Sequence, residues 1–377
     1  MRHMPQLDGL RAFAVMAVLV HHLFDPLLLP GYRGPGDWGI AAICGVRLFF
    51  VLSGFLITGL LLDAVDACRG GPRAAAMWRF YGRRALRIFP VYYLVLAIAL
   101  LVGPADAREQ VPWLATYTYN LWISSIGWYS DYFSHFWSLY VEEQYYLFWP
   151  WIVLFAPRKH LKGYAVAMIL IAPLFRWFAL ATEMNGVAFY TLTPSSLDAL
   201  GLGALLAIST NGRPASAELE RHLRLTGVPI AVAGLLLAFV SSWGRAVLLE
   251  TFIALGFLWL VAGASRGFAG VAGAFLNASP VRYLGKISYG IYVYHLLVPY
   301  VLNWSLKTAG FAPLRKDLYG FAVYTAVTIA VASCSWFALE RPFNALKDRL
   351  PNLRMPRAIQ PTSDVQAGAP VQQIVRS

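Results

Sequence analysis

Ten apolar runs recur along the chain, at about 9–29, 41–62, 84–102, 137–155, 164–182, 196–211, 226–242, 246–264, 285–305 and 319–339. Most approach the roughly 20 residues an α-helix needs to cross a bilayer core. Lipid offers no water to the backbone, so such runs must be helices or barrel strands, and these are too long for strands. Composition agrees with that reading. Of 377 residues 58% are hydrophobic and 13% charged, about half the charge of a soluble domain. So little charge cannot cover the surface of a soluble protein this size, and much of the surface must face lipid. The expected fold is all-α and integral to the membrane, a bundle of about ten transmembrane helices.

The formal net charge of +12 raises nucleic-acid binding as an option, and the placement of the 31 Lys and Arg residues removes it. Arg69, Arg73, Arg79, Arg83, Arg84 and Arg87 crowd the 69–87 segment, whereas 103–136 has a single Arg beside Asp106, Glu109 and Asp131. This is the positive-inside bias of a membrane protein with cytoplasmic N- and C-termini. The first run holds adjacent His21 and His22 and lacks a small-residue cleavage site, so it is expected to be retained as a span. Cys44, Cys68 and Cys334 form no metal or disulfide pattern. Residues 1–345 are expected to form one membrane-integral domain. From Pro351 the composition turns to Pro, Gln, Ala and Ser, and 346–377 reads as a disordered cytoplasmic tail. The segment 103–136 is rich in aromatic residues (Trp113, Tyr117, Tyr119, Trp122, Trp128, Tyr129, Tyr132), which suits either an external element shaping a pocket or a plain aromatic belt.

Ionisable groups at membrane depth are expensive and mark functional positions. The first span carries Asp8, Arg11 and His22. Eleven residues make three helical turns plus about 20°, so Arg11 and His22 share a face with a rise of about 16 Å between them. A cation near the cytoplasmic surface and an imidazole deeper along one stripe suit a long ligand with an anionic head. Imidazole also suits proton exchange near neutral pH, and His22 is the leading catalytic candidate. Glu142 and Glu143 open the fourth span at a depth close to that of His22, about 8–10 Å from the outer helix ends. There a carboxylate could orient the imidazole or bind an acceptor hydroxyl. Arg83, Arg84 and Arg87 precede the third span, where an arginine cluster suits phosphate and also satisfies the positive-inside rule. Ser53 and Gly54 read as close helix packing, and Asp198 and His295 stand evenly between structural and site roles. Glu340, Arg341 and Pro342 read as an interfacial ion pair before a helix-ending proline.

Taken together, LDGLRAFAV with its downstream His, FFVLSGFLITG, FYGRRALRIFP, FWSLYVEEQYYLFWP, ISYGIYVYH and ERPF resemble the acyltransferase-3 family of bacterial membrane-integral O-acyltransferases, over about residues 5–345. The resemblance implies ten transmembrane helices in the inner (plasma) membrane and a cytoplasmic acyl-CoA donor, expected to be acetyl-CoA, with no metal. It implies transfer of the acyl group to a hydroxyl of a sugar, glycolipid, polysaccharide precursor or natural product. The family's motif histidine and arginine fall on His22 and Arg11, its arginine motif on Arg83, Arg84 and Arg87, and its paired glutamates on Glu142 and Glu143. Asp8 joins His22 and the glutamates as a catalytic candidate. Arg47 stands where many members carry Asp, and the chain is expected to lack the extracytoplasmic hydrolase-like domain that some relatives append. His22 would serve as general base or as acyl carrier. The alternative is a transporter or flippase for a sugar-bearing or anionic lipid, which would consume no thioester.

Overall fold

The computed structural model describes residues 3–24, 40–68, 72–102, 107–128 and 132–349. Asp106, Tyr129, Asp131 and the tail from 350 onward lie outside them. All regular structure among the described residues is helical. Helices α1 (Pro5–Leu23), α2 (Ile40–Cys68) and α3 (Arg73–Val102) precede two short helices, α4 (Ala107–Ala115) and α5 (Tyr119–Ile126), and then α6 (Phe136–Phe155) and α7 (Leu161–Ala181). A short α8 (Gly186–Thr191) leads to α9 (Leu197–Thr210), and α10 (Ala217–His222) runs through a π turn into α11 (Val228–Val240), which packs on α12 (Ser242–Arg266). The last third comprises α13 (Gly270–Asn277), α14 (Ser279–Lys286), α15 (Ser288–Tyr294), α16 (Leu297–Thr308), α17 (Leu318–Ser335) and α18 (Arg341–Arg349).

Six helical stretches among the described residues are long and apolar enough to cross a membrane: Ala41–Cys68, Arg73–Leu101, Arg158–Ala181, Ala217–Ala238, Ser242–Arg266 and Leu318–Lys347. Two regions depart from the sequence reading. The run at 285–305 is not one helix but three pieces, α14, α15 and α16, parted at Ile287 and at His295–Leu296. The ERP segment does not end a helix either. A π turn over Trp336–Glu340 carries the chain directly into α18, and the helical path continues past Pro342. Nor does Glu340 form an interfacial ion pair among the described residues. It is 3% exposed, and its Oε1 has no hydrogen-bond partner.

The bundle is centred on α2, which packs on α1, α6, α9 and α12. Its crossing with α9 is backbone against backbone. A Cβ on Gly54 would stand 2.1 Å from the Leu200 carbonyl oxygen, and one on Gly203 would stand 2.1 Å from that of Val51. Small residues permit such approach, and in lipid this packing replaces the hydrophobic drive that water supplies elsewhere. Gly203→Leu is therefore expected to destabilise the bundle by about 1–3 kcal/mol or more. Thermal unfolding in detergent measures it, and an unchanged midpoint would show that the crossing relaxes freely.

Beside this crossing, four charged side chains from four helices meet away from solvent. Asp198 of α9 accepts from Nη1 of Arg47 (α2) at 3.0 Å, Nη2 of Arg176 (α7) at 2.8 Å, Oγ1 of Thr251 (α12) at 2.6 Å and its neighbour's Ala199 N–H at 2.8 Å. Glu250 of α12 accepts from Nη1 of Arg176 at 3.3 Å and contacts the Arg47 guanidinium directly. Arg176 also donates to the carbonyls of Ser195 and Val247, at 2.7 and 2.9 Å. Two guanidiniums balance two carboxylates, so Arg47 and Asp198 serve to lock helices together.

Candidate active site

At the N-terminal end of α1, a cavity of about 350 Å3 opens between α1, α2, α3, α6 and α15. α1 is held there by packing that leaves no slack. Glycine at 285 in α14 lets that helix touch the Asp8 carbonyl, where a Cβ would stand at 1.8 Å. Gln6 clips the same end of α1 to the backbone of Phe268 through two hydrogen bonds, at 3.0 and 2.7 Å.

Asp8, Arg11, Arg84, Arg87 and Glu142 all line this cavity, so residues 134 positions apart in sequence come together. Arg11 donates from Nη1 to Asp8 Oδ1 at 3.0 Å, one turn away, and His3 lies 3.1 Å from the other Asp8 oxygen. Asp8 is thus engaged by Arg11 and His3. Arg84 stacks its guanidinium over the Tyr146 ring at 3.2 Å from the centroid, and its Nε lies 3.5 Å from Glu143 Oε1. Arg87 is exposed at the mouth. Arg83 does not line the cavity, and neither does Glu143, which stands behind Arg84. Arg11, Arg84 and Arg87 thus bring three guanidiniums to one cavity, and forked donors of this kind suit phosphate oxygens.

Inward, the walls become apolar, with Phe49, Phe50, Leu56 and Ile57. Ser53 donates to Glu142 Oε1 at 2.6 Å. At the inner end the Tyr292 hydroxyl meets Ser138 Oγ at 2.6 Å and donates to the His135 carbonyl.

Behind Tyr292 stands a group of histidines. His22 Nδ1 lies 3.1 Å from His295 Nε2, and His295 Nδ1 lies 2.6 Å from the Tyr292 carbonyl oxygen. The His135 ring packs on His295 with centroids 4.5 Å apart, and His21 packs on His22 at 4.8 Å. His22 does not line the cavity. Tyr292 touches both places, with its side chain on the cavity wall and its ring 5.5 Å from His295. The expectation that Glu142 or Glu143 orients His22 is therefore corrected: the glutamates bond Ser53 and Arg84, and His295 holds the imidazole. The stripe reading put Arg11 and His22 on one face, but the rotation of α6 about its axis was not readable from spacing.

Sequence reasoning missed Tyr292, His135 and Glu250. Glu250 left a signal, a lone carboxylate in the interior of an apolar 25-residue helix. His135 directly precedes α6, outside the apolar run at 137–155 in which ionisable groups were sought.

Comparison with known proteins completes the picture. The chain matches the family model of an acyltransferase domain over residues 4–338. It is 28% identical to "Putative O-acetyltransferase SAS0844" of Staphylococcus aureus (strain MSSA476), an alignment covering 91% of this chain and 58% of that protein. It is 26% identical to O-acetyltransferase OatA of Staphylococcus aureus (strain NCTC 8325 / PS 47), covering 90% of this chain and 57% of that protein. The chain spans less than three-fifths of the length of these curated relatives. No solved structure matches it.

Proposed function

The chain belongs to the acyltransferase-3 family of membrane proteins, and from that premise we propose that it transfers an acyl group, acetyl in the simplest case, from acyl-CoA to a hydroxyl acceptor. The observation that carries the reading is the cavity itself. It has three arginines at its mouth, an apolar interior and an inner end against Tyr292, on whose backbone the His22–His295 pair rests. Its mouth faces the cytoplasm in a bundle of ten crossings with both termini on that side, in the inner membrane, and residues 1–345 form the catalytic domain. The coenzyme A phosphates bind Arg11, Arg84 and Arg87, with Arg83 adding charge at the rim, and the pantetheine arm follows the apolar wall inward.

In the transfer step the His22 imidazole takes the proton of the acceptor hydroxyl as its oxygen attacks the thioester carbonyl. The carbon–sulfur bond breaks, and the thiolate leaves with the proton that the imidazolium returns. Tyr292 must turn aside for thioester and imidazole to meet. Glu142, held by Ser53, and Glu143, held by Arg84, fix the electrostatics of the cavity, and Asp8 aims Arg11 at the phosphates. The acceptor is a carbohydrate, glycolipid or other hydroxyl compound reaching the histidines from the opposite side. The two Staphylococcus aureus relatives, named O-acetyltransferases, agree with this class.

The test is coenzyme A release from acetyl-CoA by the purified protein in detergent, over water, glycerol, glucose and N-acetylglucosamine as acceptor probes, with direct binding of acetyl-CoA measured alongside. Release with formation of an O-acetyl product supports the reading. A protein that binds no acetyl-CoA overturns it in favour of transport. Arg87→Ala is expected to raise the KM for acetyl-CoA about tenfold or more, the loss of one charge-assisted hydrogen bond of about 1.5–3 kcal/mol, with kcat little changed. An unchanged KM would remove Arg87 from the phosphate site.

A further inference from the structure

His295 is fully buried at the C-terminal end of α15, in contact with His22. Two contacts in series determine which of its nitrogens, and which of His22's, carries the proton. The Tyr292 carbonyl oxygen can only accept, so His295 Nδ1, at 2.6 Å, is the donor. A neutral imidazole protonated at Nδ1 presents a bare lone pair at Nε2. That lone pair faces His22 Nδ1 at 3.1 Å, so the His22 proton sits on Nδ1 and its Nε2 is left unprotonated. Tyr292 is free to serve because its carbonyl belongs to the last turn of α15, where a helix leaves its C=O groups without backbone partners. His135 meets His295 edge to face, with rings at 71°, and closes the other side.

We propose that His295 is a positioning residue for His22: it fixes the ring and the tautomer so that Nε2 is the nitrogen available to take the acceptor's proton. The proposal rests on the reading of His22 as the base and adds to it the residue that orients that base and the atom that acts. It assigns to an imidazole the orienting role often given to a carboxylate. A carboxylate in this position would add a charge to a buried site, at a cost that a neutral imidazole avoids.

Histidine labelled with 15N reads the tautomer directly in the detergent-solubilised protein, the His22 signals being those lost in His22→Gln. The expected wild-type state is His22 protonated at Nδ1 and bare at Nε2. In His295→Ala the tautomers mix. In His295→Gln, whose amide oxygen reaches about where Nε2 stood, the Nδ1–H form returns. Turnover of acetyl-CoA follows the same order. The kcat falls about 100-fold in His295→Ala and recovers about tenfold or more in His295→Gln, while the KM for acetyl-CoA stays within about threefold of the wild type in both. A wild-type His22 protonated at Nε2 overturns the proposal. So do His295→Ala and His295→Gln proteins that are equally impaired while both run as single species on gel filtration, because that is the behaviour of a core histidine. A His22→Gln protein with wild-type turnover has a separate meaning: it removes the base role of His22, and with it the positioning role, whatever the tautomer.

Discussion

Replacing His22 with glutamine is expected to lower the turnover of acyl transfer by about 10²–10⁴-fold, the range contributed by a positioned general base. Glutamine is close in size to histidine, and its amide can still donate to His295 Nε2, now 3.1 Å from the imidazole it replaces. What it cannot do is accept a proton and return it. Because His22 is not on the cavity wall, the donor should bind as before, and the whole loss should fall on kcat with the KM for acetyl-CoA unchanged. A matched yield of folded protein on gel filtration separates lost chemistry from lost structure. Turnover within about threefold of the wild type would mean that another group takes the proton.

Asp198→Ala is expected to cost about 3–5 kcal/mol of stability, the effect of removing one partner from a buried ion pair. The carboxylate takes four hydrogen bonds from Arg47, Arg176, Thr251 and its own neighbour's amide. Without it two guanidiniums from α2 and α7 share Glu250 alone, and one positive charge is left uncompensated inside the bundle. Native proteins hold only about 5–15 kcal/mol in reserve, so the variant should be recovered poorly or unfold at markedly lower temperature. Asp198→Asn keeps the shape and loses the charge, and an intermediate cost is expected. Thermal unfolding in detergent decides, and an Asp198→Ala protein within about 1 kcal/mol of wild type would show that the cluster is solvated.

The helical class, the membrane setting and most of the cavity were legible because they depend on composition and on 3.6-residue periodicity. Arg11, Arg84, Arg87 and Glu142 each stand in a local pattern that marks membrane depth, and they meet at one cavity. What was not legible depends on how helices rotate against each other. Glu142 and Glu143 are adjacent, yet one turns to Ser53 and the other to Arg84. Nothing in their spacing sets that choice. Arg47 and Asp198 are 151 positions apart, so the pairing becomes visible only once α2 and α9 cross at their glycines. The breaks within 285–305 escaped because hydropathy counts apolar surface and is blind to backbone hydrogen bonds.

Those breaks set stability against turnover. Inside a bilayer each backbone group left without a partner is a standing cost, and a variant that fused α15 and α16 into one uninterrupted helix would remove several such groups. The same repair would hand the Tyr292 carbonyl to a backbone amide and take it from His295. Selection for a more heat-resistant chain should therefore reach a ceiling at this joint, because the most direct stabilising change there is also one that leaves His22 without a fixed orientation.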